Sequence, residues 1–271
     1  MDGKSRGQLL SRIMGAVRAI GKLNVPLYAA NAGFFLLLSL FPGLVLTLGL
    51  LRMGGLQVSS LLELVEPVIP AALMAPVRQT VLAAYETTSG AMVGVSALIS
   101  LWSASKGIYG LLTGLSAVYG IRQERGWLRR RLISLGYTFV FFFALVLTLM
   151  LQIFAGALMK LAGPGWLGNL LRLVFRSRAL VLPGVLTVVF GMLFTLLPGA
   201  NNRFRESLPG ALLSGTGWLV VTDLFSVYVQ HFASLQNVYG SVYTVALGML
   251  WLYLCMNILF WGAGLNRLLK K

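Results

Sequence analysis

SVYTVALGMLWLYLCMNILFWGAGL, residues 241–265, holds no Asp, Glu, Lys or Arg, and the chain turns basic directly after it with Arg267, Lys270 and Lys271. As an α-helix the stretch extends about 37 Å, longer than the roughly 30 Å hydrocarbon core of a bilayer. It lacks the period-two alternation of a membrane barrel strand. It therefore predicts a transmembrane helix.

Five more apolar runs of similar length precede it, at residues 29–51, 91–112, 132–159, 179–197 and 208–229. Gly or Pro interrupts each run, which membrane helices tolerate because neighbouring groups re-satisfy the freed backbone; Pro42 and Pro183 read as kinks or helix starts. Composition agrees: 58% of the residues are hydrophobic and 11% charged, with mean hydropathy +0.84, whereas about 25% of a soluble domain is charged. The expected fold is all-α, a polytopic membrane protein of six transmembrane helices plus interfacial helices. It forms one domain over residues 1–271: a basic amphipathic segment at 1–28, the six-span bundle at 29–265 and a tail at 266–271. The first run is too long for the apolar part of a signal peptide, so it is expected to be retained. A single cysteine, Cys255, excludes an internal disulfide or a cysteine metal cluster.

The 22 Lys and Arg against seven Asp and Glu divide unevenly between the two sides that six spans define. One side takes both termini, the loop with Arg122, Arg125, Arg129, Arg130 and Arg131, and Arg203 and Arg205, fifteen basic residues in all; the other takes six, Arg52, Arg78, Lys160, Arg172, Arg176 and Arg178. Basic residues favour the cytoplasm, so both termini are expected there. The loop 160–178, with four of the six, reads as re-entrant or as lying at headgroup level.

Two stretches outside the spans read as surface elements. Leu9, Leu10, Ile13, Val17 and Ile20 share one side of a helical wheel and Arg12, Arg18 and Lys22 the other, as in an interfacial helix held by anionic inner-leaflet lipid. Residues 57–90 read as two short helices on the outer surface, with Ser60 and Glu63 as a capping box and Pro67, Pro70 and Pro76 as breaks.

Several motifs, taken in order, carry a resemblance. They are Phe34 to Pro42 with Ser39, then Ser103-Ala104-Ser105-Lys106-Gly107, then Val118-Tyr119-Gly120 before the arginine loop. Leu208-Pro209-Gly210-Ala211, Tyr228 to Ser234, Tyr239-Gly240-Ser241, Trp251-Leu252-Tyr253 and Leu265-Asn266 follow. Over residues 28–266 the chain resembles the YihY/BrkB family of bacterial inner-membrane proteins. Lys106 stands where Arg is commoner, and Gly264 where members often have Glu, so no role of that Glu transfers. The resemblance implies a six-span protein without a settled biochemical activity, whose members have been called serum-resistance factors and, mistakenly, ribonucleases.

The residues themselves give a nuclease no support. Metal-dependent phosphodiester cleavage needs carboxylates or histidines converging on a cation, and the chain has one His and no acidic pair placed to converge at membrane depth. No catalytic residue, metal or other cofactor is expected, and no nucleic-acid partner. Ser103 and Lys106, one turn apart, are the formal exception as a Ser-Lys hydrolase pair.

Lys106 and Asp223 stand out because a charge inside a span costs about 2.5 to 3.5 kcal/mol on insertion scales. Helical spacing puts Ser103, Lys106 and Thr113 on one stripe of the second span, and Thr216, Asp223, Ser226 and Gln230 on one stripe of the fifth. If the stripes face each other, Lys106 and Asp223 pair along a polar seam; the alternative for Lys106 is snorkelling to the cytoplasmic headgroups. The seam predicts movement of a lipid or amphipathic anionic solute. The competing expectation is a non-transporting envelope scaffold with protein partners or a second copy of itself. Blander roles suit the rest: His231 at an interface, Gly210 with Ser214 and Ala211 with Gly215 in close helix packing, Trp102, Trp127, Trp166 and Trp218 as interface anchors, and Cys255 and Asn257 within the bundle.

Overall fold

The computed structural model describes residues 24–53, 57–87, 90–121, 126, 128, 131–138, 178–196, 203–231 and 234–270. All regular structure among them is α-helical. The helices are α1 (Val25–Met53), α2 (Val58–Val65), α3 (Ala71–Thr87), α4 (Gly90–Tyr119), α5 (Arg178–Leu196), α6 (Phe204–His231) and α7 (Ser234–Leu269), with a short helical segment at 131–138. The basic segment before residue 24, most of the third expected span and the loop 160–178 lie outside the described residues, as do Trp127 and Trp166.

Among the described residues, four stretches are long and apolar enough to cross a membrane: Val25–Gly49, Gly94–Tyr119, Phe204–His231 and Val242–Leu269; the apolar part of α5, Leu182–Leu196, is shorter. Pro42, Pro183 and Pro209 all sit inside helices and start none of them. α4 runs seven residues past the expected Leu112, to Tyr119. Gly120, at φ +69°, then closes it: Ile121 N–H donates to the Ser116 carbonyl and Gly120 N–H to that of Ala117, a left-handed cap that explains the glycine of the Val118-Tyr119-Gly120 motif.

α7 is the central helix. α1, α4 and α6 pack on it, α1 and α4 pack on each other, and α5 packs on α6. Small residues permit the close approaches. A Cβ on Gly107 would lie 2.9 Å from the Leu36 side chain, one on Gly110 3.2 Å from Ala32 Cα, and one on Gly114 2.5 Å from the Phe260 ring. A Cβ on Gly210 would land on the Gly262 carbonyl oxygen, and one on Gly215 3.0 Å from Thr187 Oγ1. The small residues of α6 therefore pack helix against helix, as their spacing predicts.

The outer helical pair differs from expectation. α2 starts at Val58 with Gln57 as its N-cap and no side-chain cap bond from it, so Ser60 lies inside the helix rather than at its N-cap. Pro76 lies inside α3 and does not break it. The α2–α3 hairpin also meets the long helices. Its turn, residues 66–70, reaches the middle of α6: Trp218 Nε1, from the fifteenth residue of that 28-residue helix, donates to the Val68 carbonyl at 3.3 Å. Leu73 is buried with Phe225, Val229, Leu247, Trp251, Leu252 and Cys255, while farther along α3 Val81 and Ala84 meet Leu48 and Leu51 of α1. Within the turn Pro70 is buried, Val68 and Ile69 are half-buried and Glu66 and Pro67 are exposed, and Trp218 satisfies the Val68 carbonyl. The hairpin packs through α3 against α1, α6 and α7.

Candidate functional site

Lys106 lies at the centre of the Gly94–Tyr119 stretch, thirteen residues or about 20 Å from Tyr119. A lysine side chain cannot cover that distance, so its ammonium does not reach the Tyr119 end of α4. The side chain is half-buried and its Nζ rests 5.0 Å from the centroid of the Phe35 ring on α1. No carboxylate among the described residues forms an ion pair with it; the pair that does form is Lys270 with Glu206 at 3.5 Å, near the chain terminus. Cation–π contact is worth about 0.5 to 2 kcal/mol, less than the roughly 2.5 to 3.5 kcal/mol that a charge at this depth costs.

Asp223 does not meet Lys106. α4 and α6 each pack on α7 and do not pack along one another. Asp223 is exposed on an arc with Val220 and Val227, on the opposite side of α6 from Gly210, Ser214 and Gly217, which face α7. Helical spacing correctly groups residues on one face, but it does not say which neighbour that face meets.

The remaining stripe residues have specific places. Ser103 is buried and makes no hydrogen bond with Lys106. The hydroxyls of Thr113 and Thr216 donate to the carbonyls of Tyr109 at 2.8 Å and Leu212 at 2.7 Å in their own helices. Ser226 donates to the Thr222 carbonyl and accepts the Ala71 N–H at 3.0 Å, so it caps the first residue of α3 from another helix. Gln230 lines an open depression of about 170 Å³ at the outer side of the hairpin, with Leu73, Pro76, Tyr243, Thr244 and Leu247.

The motif residues bond both within and between helices. Ser39 and Ser105 donate to the carbonyls of Leu36 and Trp102, and Trp251 Nε1 to Thr222 Oγ1. Tyr253 is half-buried beside Gly33, and Tyr239 and Gly240 fall in the opening turns of α7. The densest set surrounds Asn266, 3% exposed. Its Oδ1 accepts the Gly210 N–H at 2.7 Å, and its Nδ2 donates to the Ser207 carbonyl at 3.1 Å and the Tyr119 hydroxyl at 3.4 Å. Next to it, Arg267 Nη1 donates to the Val118 carbonyl at 2.6 Å. One amide thus ties α4, α6 and α7 at the termini end.

Sequence reasoning missed two features. Trp218, expected as an interface anchor, packs between Phe190 and Trp251, with ring centroids 5.7 Å away in each case, and holds the hairpin tip. Arg131, expected in the solvated loop, is 8% exposed and stacks 4.3 Å over Trp102. Glu66 ends α2 and is exposed. His231 is exposed at the end of α6, and Cys255 is fully buried, as expected. No group of three His, Cys, Asp or Glu among the described residues is placed to hold a metal ion.

The family model described as Virulence factor BrkB matches residues 16–271. The chain is 31% identical over 245 residues to the ribonuclease-like protein YfkH of Bacillus subtilis (strain 168), covering 90% of this chain and 89% of that one. It is 35% identical over 104 residues to UPF0761 membrane protein PSHAa0171 of Pseudoalteromonas translucida (strain TAC 125), and 32% identical over 101 residues to a UPF0761 membrane protein of Psychromonas ingrahamii. Those two matches span 32% and 35% of the relatives' lengths. No solved structure matches. With apolar helices of spanning length and a family match over nearly all its residues, the chain belongs to the Virulence factor BrkB family of integral membrane proteins.

Proposed function

We propose that this protein moves an amphipathic anion, a lipid or a lipid-like solute, across the bilayer, with Lys106 as the counter-ion at mid-depth. The observation that carries the reading is the half-buried Lys106 ammonium, which rests on Phe35 with no described carboxylate paired to it. An anionic headgroup would offset the cost that the aromatic contact leaves. α4 and α6 each pack on α7 rather than along one another, so the Lys106 stripe is not closed by α6. Fourteen of the 22 basic residues on the termini side, Arg131 being drawn instead to Trp102, support cytoplasmic termini in a bacterial inner membrane, and anionic lipid of that leaflet suits the basic segment at 1–28.

A static scaffold is favoured by one observation: the hydroxyls of Thr113, Thr216 and Ser226 are engaged by backbone groups, as packing alone would have them. Purified protein in vesicles holding a trace of fluorescent anionic phospholipid separates the readings. Transport predicts faster exchange between leaflets than in protein-free vesicles. An unchanged rate with folded protein refutes it.

A further inference from the structure

We propose that Arg131 and Lys106 together form a two-cation site for a phosphate-class anion on the Trp102–Tyr109 face of α4, an inference that rests on the reading of Lys106 above and adds its ligand chemistry. Residues 102, 106, 109 and 113 recur at helical spacing and share one stripe. Arg131 reaches that stripe from the segment 131–138: its guanidinium lies 4.3 Å over the Trp102 ring and its Nη2 donates to the Trp102 carbonyl at 3.3 Å. Trp102 and Tyr109 straddle Lys106 by one turn each, so guanidinium and ammonium serve one surface.

Among the described residues the site is built but lacks an anion of its own. Arg131 is 8% exposed, yet its buried Nε has no hydrogen-bond partner. A buried charged donor without an acceptor is costly. Of the seven acidic residues, Glu63, Glu66, Glu86, Glu206 and Asp223 are described, and none pairs with either cation. Two like charges on one face favour a ligand of more than one negative charge and several acceptor oxygens. Phosphate offers both, matching the planar donor fork of arginine and the point charge of lysine; a carboxylate offers one charge and two oxygens.

The test uses the full chain in detergent micelles, with affinity measured by calorimetry for dihexanoyl phosphatidic acid, inorganic phosphate and hexanoate. Size-exclusion profiles establish that each variant is folded. Phosphatidic acid should bind saturably, and Arg131→Gln and Lys106→Gln should each weaken it about tenfold or more, with Arg131→Lys intermediate. Tight binding of phosphatidic acid alone identifies a lipid headgroup, and equal binding of inorganic phosphate identifies free phosphate; either supports the shared chemistry. Hexanoate binding as tightly as phosphatidic acid overturns the phosphate class. Unchanged affinity in folded Arg131→Gln, or in Arg131→Lys should the first variant not fold, overturns the two-cation site but leaves the Lys106 reading intact if Lys106→Gln still abolishes binding. Unchanged affinity in Lys106→Gln overturns both.

Discussion

The α2–α3 hairpin can be opened by removing the two hydrogen bonds that α6 gives its tip. Trp218→Phe deletes the donor to the Val68 carbonyl while keeping a ring between Phe190 and Trp251; Ser226→Ala deletes the acceptor of the Ala71 N–H. A net intramolecular hydrogen bond is worth about 0.5 to 1.5 kcal/mol, and side-chain bonds within bilayers average about 0.6 with a maximum near 1.7. The double variant should therefore favour the open hairpin by about 2 kcal/mol, a roughly 30-fold rise in the open population. A cysteine at the tip, Ile69→Cys in a Cys255→Ala background, reports that population through its labelling rate with a membrane-impermeant maleimide, since labelling follows local opening. Position 69 should label slowly in the parent and about 30-fold faster in the double variant, while Glu63→Cys, exposed on α2, labels fast in both. Parent labelling at position 69 as fast as at position 63 would refute the packing of the tip against α6.

Asn266→Leu removes all three amide hydrogen bonds at the termini end and should destabilise the protein by about 2 kcal/mol, read as a lowered midpoint in thermal unfolding; an unchanged midpoint contradicts the tie. Gly114→Ala should cost about 1 to 3 kcal/mol by crowding Phe260, and Phe260→Leu in the same chain should recover part of it, so additive losses would show that the two do not touch. Because Lys106 and Asp223 are unpaired, Lys106→Met and Asp223→Asn should act additively within about 0.5 kcal/mol. Rescue of either single variant by the double would restore the ion pair.

Much of the fold is legible in the chain because hydrocarbon imposes length and charge rules that single residues report. α1, α4, α6 and α7 all fall on charge-poor runs. The packing of the hairpin is not legible, because it depends on Trp218 and Ser226, about 150 residues distant in sequence. Three prolines and its glutamates also make residues 57–90 look like an outer loop. The same limit applies at the site. Spacing identifies Lys106 and its stripe, but the partners of that stripe, Phe35 and Arg131, follow from how α1 and the segment 131–138 pack on α4.

The central claim is that the charge at position 106 serves an anion that the protein moves. The most direct measurement is the leaflet-exchange rate of a fluorescent anionic phospholipid in vesicles containing the parent, Lys106→Arg or Lys106→Gln, each at matched content of folded protein. A counter-ion role predicts that Lys106→Arg retains the rate, since a cation remains, and that Lys106→Gln falls to the protein-free rate. A folded Lys106→Gln protein exchanging lipid as fast as the parent would contradict it.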